Sequence, residues 1–205
     1  MKLLLEGPLL VIGAHPDDVE LMAGGVIGRA TSQKADVYSM VISDGGQNGD
    51  IEVRHKELKK ASKILGIKEV KTCGLKDGEV PHNLETVKMV EKYIKDVNPS
   101  VIITHTDEDT HQDHKNVCHI SLSAARFQPT IVLLGETPSS YFHDNLVYFN
   151  ITDSIDRKVK ALSMYNSQIR NGPVSIENIK TLAAFRGNRV QVKYAEAFVS
   201  WRMLL

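Results

Sequence analysis

Three ligand-type side chains, His15, Asp17 and Asp18, fall within four positions of the segment AHPDDVE (14–20), directly after the apolar run LLVIG. A second cluster, HTDEDTHQDH (105–114), holds His111 and His114 three residues apart with Asp113 between them. Imidazole nitrogen and carboxylate oxygen are the donors that a divalent metal of the zinc type accepts, and a catalytic site of that kind keeps three protein ligands and one open position. His15, Asp18 and His114 would supply two nitrogens and one oxygen in that pattern. Asp17 is then left beside the metal without ligating it, placed to take a proton from attacking water, and is the candidate general base. His111 can hydrogen-bond an oxyanion or protonate a leaving group, and Asp113 can orient one of the imidazoles. Blander readings stand beside these: a His-Pro after a strand is commonly a turn, Asp17 or Asp18 can cap the following helix, and Asp113 can cap a helix beginning near His114.

The two clusters lie far apart in the chain, so a fold must bring them together. Short runs rich in Val and Ile, at 9–14, 36–43, 69–75, 100–106 and 130–136, alternate with stretches of helical period at 25–34, 51–66, 84–99 and 114–127. That alternation predicts an α/β fold of Rossmann-like, three-layer α/β/α type, with a mostly parallel sheet and one domain over residues 1–205. The stretch 51–66 shows the logic: Ile51, Leu58, Ala61 and Leu65 share one face, Lys56, Lys59, Lys60 and Lys63 the other, and Gly66 supplies the stop. Asn98-Pro99 ends the next helix, because the residue before a proline is pushed out of helical space. Further on, 146–152 reads as a strand, 153–168 as a helix capped by Asp153 or Ser154, 171–173 as a turn, and 175–187 as another helix. Ligands of such folds bind in the crevice outside the carboxyl ends of the strands. The segments 14–20, 44–50 and 105–114 are therefore expected to meet there.

Composition removes several function classes. Lys plus Arg and Asp plus Glu number 25 each, so no global field holds a polyanion, and nucleic acid is not an expected partner. Glu6, Gly7 and Pro8 interrupt the opening MKLLLEGPLLVIG, which is not read as a signal sequence, and no segment approaches the roughly 20 apolar residues of a membrane span. Cys73 and Cys118 form no CxxC pair and read as reduced, buried thiols of a cytoplasmic protein.

AHPDDVE with the downstream HQDH resembles the LmbE-like, or PIG-L, family of metal-dependent N-acetylglucosaminyl deacetylases. RHKELKKASKILG (54–66) is similar to the family's Arg-x-x-Glu-x3-Ala-x3-Leu-Gly helix, and YAEAF (194–198) to its C-terminal signature. The resemblance implies a Rossmann-like fold, zinc at His15, Asp18 and His114, Asp17 as general base and His111 as the group that stabilises the tetrahedral intermediate. It implies hydrolysis of the acetyl group of an N-acetylated amino sugar, or a conjugate of one, by metal-activated water. It also makes Arg54 a substrate contact for sugar hydroxyls or a phosphate, and implies a homo-oligomer. Gln112 stands where the family has Pro, a departure that changes no ligand. Iron and cobalt suit two imidazoles and a carboxylate as zinc does.

Two other classes compete. One is a metal-dependent sugar-binding module without turnover; the other is nucleotide binding, which the absence of a Gly-x-Gly-x-x-Gly spacing lowers. The loop 43–50 suits close approach of backbone to a polar ligand, but as a calcium loop it fails, since position 12 from Asp44 is His55. Gly24-Gly25 reads as a close helix contact below the site. His55, His82, His119 and His143 are left unassigned, His105 is read as structural, and Trp201 as packed on the body or on a neighbouring subunit.

Overall fold

The strand β1 (Leu9–Gly13) is buried along its whole length, as a strand with covered faces on both sides must be. Along it the side chains alternate between two cores: Leu9 and Val11 join Val19, Ile27, Leu58 and Ile155, while Leu10 and Ile12 join Val90, Ile94, Val117 and Ile120. These are the two faces of one sheet, and the helices that bury them form the outer layers.

The structure, a computed structural model, describes residues 7–141, 144, 146–171 and 175–203. Residues 1–6, His143, the Gly172-Pro173 part of the expected turn and the final Leu204-Leu205 lie outside the described residues. Six further strands join β1: β2 (Val37–Ser43), β3 (Glu69–Leu75), β4 (Val101–His105), β5 (Ile131–Gly135), β6 (Leu146–Asn150) and β7 (Ala195–Arg202). Their spatial order is β3-β2-β1-β4-β5-β7-β6. The first five run parallel, with Leu9 opposite both Val37 and Val101, whereas β7 pairs antiparallel with β5 and β6 antiparallel with β7. Strand order reverses beside β1, and the crevice that such a reversal opens lies at the carboxyl ends of β1 and β4. The two histidine-rich segments follow those two strands directly.

The helices are α1 (Asp18–Ser32), α2 (Ile51–Leu65), α3 (Leu84–Val97), α4 (Gln112–Ala124), α5 (Ile155–Leu162), α6 (Asn166–Asn171) and α7 (Ile176–Asn188). Local chemistry sets their ends. The Asp50 carboxylate accepts from Val53 N at the start of α2, and Gly66 takes a φ of +75° at its end, where a side chain would be strained. Asn83 and Thr86 cap α3 reciprocally.

Several expectations need correction. The helix α1 begins at Asp18 rather than at Gly25: the acidic Asp18 and Glu20 of its first turn interrupt the apolar period of Val19, Met22, Ala23 and Val26 in the sequence, although both are buried in the fold. The expected helix 153–168 is two: α5 stops at Leu162, and Tyr165, fully buried with its hydroxyl donating to Glu20 Oε2 at 3.0 Å, turns the chain before α6. Strand β7 has no counterpart among the expected strands, since its alternation is carried by small and polar residues, with only Phe198 as a large fully buried anchor. Trp201 near its end is 45% exposed, so the body covers only part of it. Cys118 is buried as expected, but Cys73 is only half-buried, because β3 is an edge strand. The Gly24-Gly25 reading holds: a Cβ on Gly25 would come within 2.6 Å of Ile151 Cδ1, and one on Gly24 within 2.9 Å of Lys158 Cγ.

Candidate active site

The turn from β1 into α1 folds back on itself, with His15 N donating to Asp18 Oδ2 at 2.7 Å. Asp17 lies between them with a φ of 109°, a conformation that costs a non-glycine residue about 1–3 kcal/mol and persists only where its surroundings impose it. Here Arg54 from α2 imposes it. One terminal nitrogen of its guanidinium donates to Gly45 O at 3.0 Å; the other donates to Pro16 O at 2.5 Å and lies 3.3 Å from Asp17 Oδ2. Asp17 occupies the N-cap position of α1 yet makes no side-chain capping bond, which removes the capping reading for it. Asp113 does not cap α4 either. His111 does, its Nδ1 accepting from Asp113 N at 3.2 Å, so that in the neutral ring the hydrogen sits on Nε2.

His15, Asp18 and His114 come together. The distances are 3.1 Å from His15 Nδ1 to Asp18 Oδ2, 3.4 Å from His114 Nε2 to Asp18 Oδ2 and 3.3 Å from His114 Nε2 to His15 Nδ1. A tetrahedral centre with bonds of about 2.0–2.1 Å sets its ligand atoms ~3.3 Å apart. The three donors thus form one face of such a tetrahedron, and the donor set fits a divalent cation.

Each imidazole is held from behind. His15 Nε2 lies 3.0 Å from Asp77 Oδ1 and 3.3 Å from Asp113 Oδ2; Asp113 in turn accepts from Gly78 N and Val80 N. His114 Nδ1 lies 3.1 Å from Asp109 Oδ2, which also accepts from the Thr137 and Ser140 hydroxyls, while Asp109 Oδ1 accepts from His111 N. Carboxylates behind metal-facing imidazoles fix the tautomer and ring orientation. Sequence reasoning misses Asp77 and Asp109. A lone Asp-Gly after a strand reads as a turn, and Asp109 sits among Asp107 and Glu108 without distinguishing spacing. His105 is nearer than expected: fully buried, its ring stacks on His114 with centroids 4.0 Å apart, and its Nε2 lies 3.2 Å from Asp18 Oδ2.

Electrostatics follow from this crowding. Burial opposes charge on His15, but Asp113, Asp18 and Asp77 outweigh it and lift the imidazole to about 12; for His114 the Asp18 and Asp109 carboxylates outweigh burial and lift it to about 9. A bound cation would take the place of those protons. Burial pushes the Asp17 carboxyl up to about 7, and the neighbouring Asp18 charge adds to the shift against Arg54. Burial also works on Asp18, but His114 and His105 hold it well below the usual carboxylate range. His111 is lowered by burial and by the charge of His15 and His114.

His15, Asp17, Asp18, Arg54, Asp77, His111 and His114 line one cavity of about 230 Å³ together with Leu21, Asn48, Thr137, Pro138, Ser139 and Gln168. That exceeds the roughly 10–15 Å³ that a single water needs, so the cavity admits a ligand. Asp113 stands behind it. The walls come from the segments after β1, β2, β3, β4 and β5, two more than the sequence points to, and from α1, α2, α4 and α6.

Residues 10–125 match the family described as PIG-L: GlcNAc-PI de-N-acetylase. The diacetylchitobiose deacetylase of Thermococcus kodakarensis is 25% identical over 215 residues, which cover 92% of this chain and 80% of that one. The probable N-acetyl-alpha-D-glucosaminyl L-malate deacetylase 2 of Bacillus cereus is 31% identical over 188 residues, covering 80% and 84%. Among solved structures, a conserved protein of Thermus thermophilus superposes with a TM-score of 0.85 at 28% identity, over 96% of this chain and 95% of that one.

Proposed function

The chain belongs to the GlcNAc-PI de-N-acetylase (PIG-L) family, and we propose that it is a metal-dependent N-deacetylase that hydrolyses the acetamido group of an N-acetylated amino sugar or a conjugate of one. The observation that carries this reading is the triangle of His15 Nδ1, Asp18 Oδ2 and His114 Nε2, with sides of 3.1–3.4 Å, on the wall of a cavity that also exposes the unligated Asp17. His15, Asp18 and His114 would hold the cation, zinc in this proposal and iron or cobalt equally compatible with the donors. When bound it would polarise the amide carbonyl and lower the pKa of water.

The chain's own residues would do the rest. Asp17, pinned by Arg54 and the strained turn, takes the proton of the attacking water and returns it to the departing amine. His111, with Nδ1 occupied by Asp113 N, presents Nε2–H as a donor to the oxyanion. Asp113 positions His15 rather than touching substrate, together with Asp77, and Asp109 does the same for His114. Arg54 lines the cavity and in this reading meets the substrate while it holds Asp17. Residues 1–205 act as one catalytic domain, since segments spread along the chain from His15 to Gln168 wall a single cavity. Among the described residues no helix is long and apolar enough to cross a membrane, and two unpaired thiols favour a cytoplasmic location.

The test is acetate release from N-acetylglucosamine and N,N′-diacetylchitobiose with and without a chelator. Release that stops with the chelator and returns on adding zinc supports the reading; release from neither sugar under metal-replete conditions overturns it.

A further inference from the structure

The helix α6 contributes one side chain to the cavity, Gln168, buried to within 5% residual exposure. Its amide has a fixed polarity. Nε2 lies 3.0 Å from Asn48 O, a carbonyl that can only accept. Nε2 also lies 3.1 Å from Ser167 Oγ, and that hydroxyl gives its single hydrogen to Glu57 Oε2 at 2.6 Å, so toward Gln168 it too can only accept. Glu57 is held by its other oxygen, which accepts from Ser167 N at 3.0 Å. Both amide hydrogens are therefore committed, and turning the amide over would set Oε1 against two acceptors. Oε1 is the amide atom left over in a side chain that lines the cavity. It makes no hydrogen bond among the described residues, and it is not among the polar atoms sealed in the interior without a partner.

We infer that Gln168 Oε1 is a specificity-determining acceptor that reads one hydroxyl of the sugar, an inference that rests on the deacetylase reading above. The cavity wall at Gln168 then distinguishes a hydroxyl, which can donate, from a hydrogen or fluorine at the same ring position, which cannot. A buried acceptor left unmet by its ligand carries a desolvation penalty, which corresponds to roughly 10-fold to 100-fold in kcat/KM.

The experiment compares wild type and Gln168→Met, both metal-loaded, on N-acetylglucosamine and its 3-deoxy, 4-deoxy and 6-deoxy analogues. Methionine keeps the length of the side chain and removes the acceptor. The wild type should lose roughly 10-fold or more on one analogue, chiefly through KM, and the variant should process that analogue and the parent sugar at similar rates. Melting temperature and metal content, measured alongside, identify a variant that fails to fold; Gln168→Leu then serves in its place. A variant that loses the same factor on all four sugars overturns the inference, because a merely structural tie between α6 and Asn48 would behave that way. A wild type indifferent to all three deoxy positions overturns it as well. If the wild type releases acetate neither from these four nor from N,N′-diacetylchitobiose, the deacetylase reading fails and this inference with it; release from the disaccharide alone overturns the inference and leaves that reading standing.

Discussion

The parallel part of the sheet, β3-β2-β1-β4-β5, and the antiparallel part, β7-β6 with α5 to α7, contribute to the same cavity in different ways. Every metal-type donor and every carboxylate behind one stands on a segment that follows a parallel strand, where chain ends converge over the switch point. The antiparallel part contributes Gln168 to the wall and, beneath the site, a buried ion pair. Lys158 Nζ lies 2.7 Å from Glu196 Oε1 and donates to Leu21 O, while the Glu196 carboxylate accepts from Gly25 N at 2.8 Å and Val26 N at 2.7 Å. In the proposed function the first part does the chemistry, while the second adds Gln168 to the wall and supports α1, whose first turn carries Asp18. Chemistry and support should therefore fail separately.

The sharpest separation is expected at the donors. Asp18→Ala or His114→Ala should abolish metal retention and bring acetate release to background, measured by metal analysis after gel filtration, with the fold preserved by circular dichroism. Asp17→Asn comes next: kcat should fall by ~10²–10⁴ while one metal per chain is retained. A protein that only binds sugar would show no such loss of turnover with metal in place, so this variant also decides between the enzyme and the binding module.

A smaller effect is expected one layer out. Asp109→Asn removes the carboxylate behind His114 and should weaken metal binding by about 10–100-fold, read by competition with a chromophoric chelator. Unchanged affinity would mean that the Thr137 and Ser139 hydroxyls, 3.4 Å and 3.3 Å from His114 Nδ1, suffice to orient the ring. The smallest effect on chemistry belongs to Glu196→Gln. It leaves Lys158 buried without its partner and should cost about 3–5 kcal/mol of stability, or a Tm lowered by roughly 6–20 °C, while kcat per folded, metal-loaded molecule stays at the wild-type value. A changed kcat at unchanged Tm would break the division between the two parts.

The same division marks how far the amino-acid sequence can be read. The inner parallel strands β1, β2, β4 and β5 announce themselves as Val- and Ile-rich runs because both faces are covered, and the amphipathic period of 51–66 places α2 to within a residue. His15, Asp18 and His114 are legible because ligand-type residues crowd into two short segments after strands. For Arg54 the resemblance points to a substrate contact and says nothing of its hold on the backbone; the residue is 3% exposed and grips the strained turn at Asp17. Asp77 and Gln168 carry no signal of their own, because one supports and the other walls a site whose partners, His15 and Asn48, lie on distant segments of the chain. Antiparallel β7 is illegible for a different reason: Glu196 is buried and Trp201 exposed, so the strand shows no apolar alternation to distinguish it from loop.

Anomalous diffraction at the zinc edge from crystals of the zinc-loaded protein tests the central claim most directly. The account predicts one peak per chain, about 2.0–2.1 Å from His15 Nδ1, Asp18 Oδ2 and His114 Nε2 together. A peak elsewhere, or none between those three atoms at full zinc loading, would contradict it.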